Sequence, residues 1–547
     1  MTIIISKIIE LVKSKFRQKS LIHSIKIMLY DTIIIGGGHN GLVAACYLAK
    51  AGKKVLILEK NDYIGGGTTS QKVFPEYEAY LSRYSYLVSL FPKEISDELD
   101  LDINLLRRSV ASYTPYVQNG EHKGLIISNI DEAISKQSVL ALGYGEAEWE
   151  GYQTILKKQQ QFAGLIWDSF LSPLKSKEEW KAYFEQQGYG ELWQSFVEEP
   201  IGKFIESHVQ SDILRGVLMT DAKIGSYTHA YDLSLLQNKT FIYHIIGNKT
   251  GEWRVPQGGM GNVVAQLIEK AMNLGVVLKT QAEVKHIDRE DGLKVIYSYD
   301  EREYSINAKD VLLNAAPQVL EKLLGHIPLP GKPTEEGTAF KINLLLKRLP
   351  QLKDTKVQPE QAFAGTFHIN QSFEQMEQTF DAVISGKIPD TIACEIYCHT
   401  LTDPSILSEE LQAQGYHTLT VFGLDLPYEL FIKDNEAAKK EVVVKFLKGI
   451  NTYLAEPLED CLATDHEGNW CLEAKSSVDL EKELGMPRGN IFHNGLSWFY
   501  AEAAEAVGKW GVETPYDHIY ICGSGAARGG AVSGIPGRNA VKVVLDV

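Results

Sequence analysis

The sequence predicts an α/β fold in which a parallel-sheet domain is assembled from three separated pieces, with a helix-rich, mixed α+β domain inserted between them. Three stretches support this prediction. An apolar run at residues 31–35 enters the loop GGGHNG, the segment PQGGMGNVV precedes a predicted helix, and the chain closes on a strand, a glycine-rich turn and a helix. Strands that alternate with helices in this way indicate βαβ units and a parallel sheet.

The composition is that of a globular protein with more than one domain. A chain of 547 residues that is 44% apolar can bury the cores of two or more domains. Its net charge of -15 argues against a nucleic-acid partner, because phosphate binding needs clustered Lys and Arg. Six cysteines without metal-site spacing predict reduced thiols, a cytoplasmic location and no metal site.

Residues 1–29 form a basic N-terminal extension, with six Lys and Arg against the single acid Glu10. The extension contains no apolar run long enough to span a bilayer. Three interpretations stay open. Translation starts at Met28, or the segment is an amphipathic helix in peripheral contact with an anionic membrane, or it is a targeting peptide.

The first predicted βαβ unit carries a dinucleotide-binding loop. Its residues are Gly36, Gly37, Gly38, His39, Asn40 and Gly41. The GxGxxG spacing lets the backbone approach a pyrophosphate at the N-terminus of the following helix. Glu59, followed by Lys60, ends the next strand 18 residues after Gly41, where a carboxylate accepts hydrogen bonds from ribose hydroxyls. His39 is interpreted as either structural or in contact with a phosphate.

A second glycine cluster, Gly65 to Gly67 followed by Thr68, comes directly after this acidic strand end. A NAD domain has no need of glycines there, whereas the diphosphate and ribityl chain of an extended FAD would pass such a loop. A third glycine-rich turn, at residues 523–530, would let the backbone approach the isoalloxazine ring. The predicted cofactor is therefore FAD.

The rest of the pattern predicts the domain boundaries. Residues 101–249 are predicted as aromatic-rich helices of a substrate or cap domain, and residues 336–480 as its second, mixed part. Residues 30–100, 250–335 and 481–547 are predicted to form the FAD-binding domain. We find no internal repeat and no low-complexity linker.

The motifs together resemble one family. The stretches DTIIIGGGHNGLVAACYLAKAGKKVLILEKNDYIGG, WRVPQGGMGNVVAQL, DVLLNAAP and YICGSGAARGGAVSGIPGRNA resemble the phytoene desaturase-related FAD oxidoreductases, a group that includes bacterial carotenoid ketolases. The resemblance covers nearly the whole chain. It implies a Rossmann-like FAD-binding domain of the glutathione-reductase and amine-oxidase type.

The resemblance also implies roles for individual residues. The GxGxxG glycines would hold the FAD diphosphate, Glu59 the adenosine ribose, and the backbone of Val284 the adenine. The residues implied along the flavin arm and ring are Gly65, Gly66, Gly523, Gly530, Ala531 and Val532.

The chain departs from the family pattern near the predicted flavin. Ser524 stands where many relatives have Asp, and Ala527-Arg528 stands where the nearest group has His-Pro. The Arg528 guanidinium is expected either to stabilise a reduced flavin or to face solvent. His493 and Asn494 follow a short strand and are further candidates for the substrate face, although a half-buried structural histidine is the competing interpretation.

These features predict hydride transfer at flavin N5 to or from a hydrophobic, isoprenoid- or carotenoid-like substrate, with desaturation or saturation of a C–C bond. A second GxGxxG and a redox CxxxxC pair are both missing from the sequence, so the flavin itself must carry the redox step. Two alternatives stay open: an amine or small-molecule oxidase, and a flavin-containing interaction protein with little catalysis. The sequence makes no prediction of the oligomeric state.

Overall fold

The computed structural model describes residues 30–326 and 336–546. The basic extension, and with it the prediction of peripheral membrane contact, lies outside these residues. Among the helices that are described, none is long and apolar enough to cross a membrane.

The strands are, in chain order, β1 Tyr30–Ile35, β2 Val55–Leu58, β3 Ser70–Gln71, β4 Leu81–Ser82, β5 Leu105–Leu106, β6 Val110–Gln118, β7 Glu121–Ser128, β8 Val255–Pro256, β9 Val277–Lys279, β10 Glu283–Asp288, β11 Leu293–Tyr299, β12 Arg302–Leu313, β13 Phe340–Leu346, β14 Thr366–Ile369, β15 Cys394–Tyr397, β16 His417–Gly423, β17 Leu472–Lys475 and β18 Ile519–Ile521. The α-helices are His39–Lys50, Lys93–Glu98, Glu132–Leu140, Glu146–Ile166, Lys177–Gln186, Gly190–Trp193, Ile201–Glu206, Asp212–Met219, Leu236–Ile245, Met260–Asn273, Pro317–Leu323, Pro359–Ala362, Phe373–Ile384, Glu409–Ala413, Asn435–Asn451, Ser477–Leu484 and Ile535–Leu545.

The first sheet has a parallel core in the order β9-β2-β1-β12-β18. The central strands β1 and β2 are rich in apolar, β-branched residues because both faces of the sheet are covered there, and all four residues of β2 are buried. Helices His39–Lys50, Met260–Asn273 and Ile535–Leu545 contribute buried residues to the cluster on one face. The antiparallel meander β10-β11-β12 extends this sheet. The predicted α/β, Rossmann-like architecture is confirmed.

The second sheet has the order β17-β13-β16-β15-β14-β6-β7 and is antiparallel except for the β14–β6 pair. Its hairpin β6–β7 corrects one prediction, since the sequence pattern predicts helices there. Asn119 and Gly120 both have positive φ, 54° and 79°, which fits a two-residue type I′ turn. The Asn-Gly pair was therefore a hairpin signal that the composition of the segment obscured.

The helical part of the insertion begins at Glu132 and packs around aromatic side chains. The Phe162 ring lies 5.3 Å from Phe184 and 5.0 Å from Phe196, measured between centroids. One buried ion pair joins this region to the loop after β16. Lys223 Nζ lies 3.0 Å from Asp425 Oδ1, and both side chains are fully buried.

Candidate functional site

The glycine loop after β1 presents unpaired backbone groups at a helix N-terminus. Gly38 is the N-cap of helix His39–Lys50 and receives no side-chain cap, so the first N–H groups of the helix are available to a ligand. Gly36 has φ of +99°, and a Cβ there would lie 2.5 Å from the Asn314 carbonyl oxygen. Only glycine fits this turn, as the GxGxxG pattern requires.

Asn314, which directly follows β12, holds this loop in place. Its side-chain amide donates to the carbonyl oxygens of Gly36, at 3.0 Å, and Gly38, at 3.2 Å. Asn314 was not predicted from the sequence. The signal available was its position at the end of the strand DVLLN, since the carboxyl ends of neighbouring parallel strands meet at the ligand-binding edge.

Glu59 lies at that same edge, at the end of β2. Its buried carboxylate accepts the backbone N–H of Gly37 at 2.7 Å and that of Asn61 at 2.9 Å. The carboxylate thereby links the first glycine turn to the segment after β2. Each carboxylate oxygen of Glu59 accepts one backbone N–H and still has a lone pair that can accept a hydrogen bond from a hydroxyl group.

The second glycine cluster lies beside the first. Gly38 and Gly65 form a parallel bridge, and a Cβ on Gly66 would lie 3.4 Å from Gly38 Cα. Thr68 Oγ1 lies 2.9 Å from His39 Nδ1, within hydrogen-bond distance. The two glycine clusters therefore share one groove.

The C-terminal glycine-rich turn closes the groove on the side of β18. Asn40 Nδ2 donates to Ser524 Oγ at 3.5 Å. Gly530 has φ of +96°, and a Cβ there would lie 2.6 Å from Tyr243 Oη and 3.1 Å from Phe492 Cδ1. This glycine lets the chain approach Tyr243 of the inserted domain and Phe492.

One cavity of about 1270 Å³ extends from this groove into the inserted domain. This volume exceeds the roughly 300–1,000 Å³ of an ordinary small-molecule pocket, so a dinucleotide and a substrate can share it. The predicted site residues that line it are Gly36, Gly38, His39, Asn40, Glu59, Lys60, Gly66, Thr68, Val284, His493, Ala531 and Val532. The predicted residues behind this surface, each near a lining residue, are Gly37, Gly41, Gly65, Gly523 and Gly530.

Two of the candidate catalytic residues do not line the cavity. Asn494 is half-buried outside it. Arg528 faces neither the cavity nor solvent. This corrects both expectations for it, which were contact with a reduced flavin and exposure to solvent. Its buried guanidinium donates to the carbonyl oxygens of Ser172 and Trp510, at 2.8 and 3.0 Å, so it ties backbone segments together. Burial lowers the pKa of Arg528 to about 10.

His493 does line the cavity, and it adopts a positive φ of 65°. Burial lowers the pKa values of His493 and His39 to about 4, so both rings are neutral at pH 7. A neutral imidazole nitrogen can donate to or accept from a bound ligand but adds no charge.

The far end of the cavity, on the second sheet, is unexpectedly polar. Glu395 on β15 accepts from Tyr397 Oη at 2.6 Å and from Thr220 Oγ1 at 3.1 Å. Burial raises the pKa of Glu395, and it raises the pKa of the neighbouring Asp221 to about 7. None of these residues was predicted from the sequence, because they come from two segments that lie far apart along the chain. Among the described residues, no group of three or more His, Cys, Asp or Glu side chains could hold a metal ion.

Several buried polar atoms along the groove lack a partner among the described residues. They include His39 Nε2, Asn40 Oδ1 and Tyr243 Oη. Unsatisfied buried polar atoms are uncommon in folded proteins, and a ligand commonly supplies the missing partner. Together with the glycine cradle, these atoms fit a bound dinucleotide.

Fold and groove define a dinucleotide-binding oxidoreductase. A family model described as an NAD(P)-binding Rossmann-like domain matches residues 34–99. An uncharacterized protein of Mycobacterium tuberculosis is 41% identical over 525 residues, which cover 94% of this chain and 97% of the relative. The chain belongs to the phytoene desaturase-related family of FAD-dependent oxidoreductases.

More distant relatives carry functional names. The mouse pyridine nucleotide-disulfide oxidoreductase domain-containing protein 2 is 27% identical and covers 94% of this chain and 93% of its own length. A carotenoid 3,4-desaturase of Haloarcula japonica is 27% identical over 47% of this chain and 50% of its own length. A solved structure of putrescine oxidase superposes with a TM-score of 0.57 at 16% identity, covering 95% of this chain and 99% of that one. This last likeness shows the fold alone.

Proposed function

We propose that the protein binds FAD and transfers a hydride between flavin N5 and a largely apolar, isoprenoid- or carotenoid-like substrate, and that one proton is released to or taken up from solvent, so that a C–C bond is desaturated or saturated. The observation that carries the proposal is the single cavity that joins the dinucleotide groove to the inserted domain. Bound FAD would supply the redox chemistry. The likeness to a carotenoid desaturase favours a polyene or isoprenoid substrate.

In this proposal the chain's own residues bind, orient and exclude water. The helix N-terminus at Gly38 holds the diphosphate, and Glu59 holds the ribose hydroxyls while it braces Gly37. Gly66, Ala531 and Val532 line the cavity along the proposed path of the cofactor. The remaining cofactor contacts proposed are those of His39, Asn40, Lys60, Thr68 and Val284.

The inserted domain and Phe492 of the last FAD-binding segment together supply an apolar, aromatic lining for the substrate. Tyr243 and Phe492 pack edge to face at 5.6 Å beside Gly530. Val217, Leu218 and Ile224 continue this lining along the helical side. Such a lining excludes water from the site of hydride transfer and orients an apolar chain.

The cofactor is tested by an absorption spectrum of the purified protein and by FAD titration of the apoprotein. Visible flavin bands are expected. Glu59→Gln is expected to weaken FAD binding at least about tenfold, about 1.4 kcal/mol. The exposed neighbour change Asp62→Asn serves as the matched control and should leave affinity unchanged. A colourless protein that FAD cannot reconstitute would refute the proposal.

The substrate class is tested by anaerobic titration of the flavin with a membrane lipid extract, with purified polyenes and with simple amines such as putrescine. Bleaching by the lipid or polyene fraction is the expected result. Bleaching by amines alone would establish the amine oxidase alternative instead. A loaded flavin that no fraction bleaches would favour the interaction protein with little catalysis.

A further inference from the structure

We propose that the sheet-side end of the cavity binds a carboxylate carried by an otherwise apolar substrate, and that Arg108 is the residue that pairs with it. The inference rests on the proposed function, because it specifies the substrate class of the same cavity. It narrows that class from apolar hydrocarbons to apolar acids.

Arg108 lines the cavity just before β6 and lacks a counter-charge. Among the described residues, its guanidinium donates one hydrogen bond, to Thr366 Oγ1 at 2.9 Å, and forms no ion pair. Its Nε is buried without a partner. Arginine stays protonated in proteins, so burying it unpaired is costly unless a ligand completes the site.

A buried lysine, Lys341, lies on the other side of one pair of aromatic rings, and burial lowers its pKa well below the usual value. The Arg108 guanidinium carbon lies 5.8 Å from the centroid of the Tyr397 ring, and Lys341 Nζ lies 3.9 Å from that of Tyr86. The centroids of these two rings are 4.7 Å apart. Lys341 is buried and donates to the Tyr84 carbonyl oxygen at 2.8 Å, and the described residues offer it no ion pair. Aromatic faces partly offset the desolvation of a cation but accept no conventional hydrogen bond.

Glu395 and Glu252 lie close enough to favour the charged form of Arg108, but neither forms an ion pair with it, and Glu252 is paired with Arg107 and Arg254. Glu395 is engaged by the hydroxyl groups of Tyr397 and Thr220, and His368 Nε2 lies 3.8 Å from its Oε1. Asp221 lines the cavity and is held towards its neutral form by burial. With Glu395 and Asp221 shifted towards the neutral state and Glu252 already shared by two other arginines, the Arg108 cation leaves room for one further negative charge at this end of the cavity.

The geometry favours a carboxylate over other head groups. A single guanidinium with free N–H groups matches the two oxygens of one carboxylate. A phosphate would bring a second negative charge next to Glu395 and Asp221. An amine would have to approach Arg108 as a like charge. The apolar chain would lie along Val217, Leu218 and Ile224.

The test compares four probes that share one isoprenoid chain: geranylgeranoic acid, geranylgeraniol, geranylgeranylamine and geranylgeranyl monophosphate. Binding to the FAD-loaded protein is followed by the change in flavin absorption and by the fluorescence of tryptophan, since Trp253 lines the cavity. We expect the acid to bind at least tenfold more tightly than the alcohol. Preference for the amine or the phosphate, or no preference, would overturn the inference.

Arg108→Gln should remove the preference for the acid and leave alcohol binding unchanged. Arg107→Gln is the matched control, because Arg107 borders the same cavity but is paired with Glu252 and is 53% exposed at its side chain. It should keep the preference. Thr366→Val, which removes the hydrogen bond that orients the guanidinium, should reduce the preference without abolishing it. An Arg108→Gln protein that still favours the acid tenfold would contradict the inference.

The two proposals fail separately. If hydrocarbons and alcohols bleach the flavin and Arg108→Gln does not change probe binding, the carboxylate site is refuted and the redox function stands. Tight, Arg108-dependent binding of the acid with no bleaching by any probe would refute the redox function and leave the carboxylate site standing. Retained flavin absorption and an unchanged melting temperature in each variant exclude misfolding as the cause.

Discussion

The Asn314 side-chain amide donates to the carbonyl oxygen of Gly36 at 3.0 Å, which ties the end of β12 to the glycine loop after β1. Because Asn314→Ala leaves two loop carbonyl oxygens without this donor, it should lower the free energy of unfolding of the apoprotein by about 1–3 kcal/mol. It should also weaken FAD binding. Urea unfolding and FAD titration measure the two effects. Asn307→Ala, earlier on the same strand, should change neither.

Gly530→Ala should destabilise the protein and reduce FAD loading. The positive φ alone costs about 1 kcal/mol for a residue with a Cβ, and the clash with Tyr243 Oη adds to it. Gly508→Ala is the control for backbone strain alone, because Gly508 has φ of +80° and no atom lies within 4 Å of the new Cβ. In Gly530→Ala/Tyr243→Phe the Oη clash is gone, so thermal melting should show partial recovery. Equal losses in the Gly508 and Gly530 variants would contradict the steric argument.

The buried Lys223–Asp425 pair should show strong coupling. Removing either partner alone, as in Lys223→Met or Asp425→Leu, leaves an uncompensated buried charge and should cost about 3–5 kcal/mol. The double variant should recover most of this loss because neither charge remains. A double-mutant cycle by chemical denaturation measures the coupling. Additive losses in the double variant would show that the pair does not act as a unit.

Asp221 should make the protein less stable as the pH rises. Burial raises its pKa in the folded protein from 3.8 to about 7, so the folded state binds more protons than the unfolded chain between these values. Stability from this group is therefore present at low pH and is lost as the pH rises from about 4 through 7. Asp221→Asn should show a smaller fall in melting temperature between pH 5 and pH 8 than the unchanged protein. An identical fall in both would mean that Asp221 titrates normally.

The site residues that can be predicted from the sequence are those defined by local patterns. GxGxxG and the acid at the end of β2 are defined by short spacings, so Gly36 and Glu59 were found at the groove. Asn314 and Glu395 have no such local pattern, since their partners Gly36 and Thr220 lie 278 and 175 residues away along the chain. Arg528 was misplaced for a related reason, because sequence does not show which way a buried side chain points.

At the β6–β7 hairpin a local sequence pattern was present, but the prediction did not use it. Its Asn119-Gly120 turn is a local signal, yet the long aromatic segment around it favoured a helical prediction. Apolar periodicity and turn chemistry disagreed there, and the turn chemistry was right. That hairpin matters for the site, because its strand β6 pairs with β14, which carries Thr366, the hydrogen-bond partner of Arg108.

The parallel core draws β1 and β2 from the start of the chain, β12 from its middle and β18 from near its end. During synthesis on the ribosome the first glycine loop therefore emerges long before the strand that completes the sheet beside it. The groove cannot close until residues 519–532 have been translated, so a dinucleotide cannot be fully enclosed before that stage of synthesis. A nascent chain stalled before this point should expose apolar sheet edges, which makes it a natural client for chaperones.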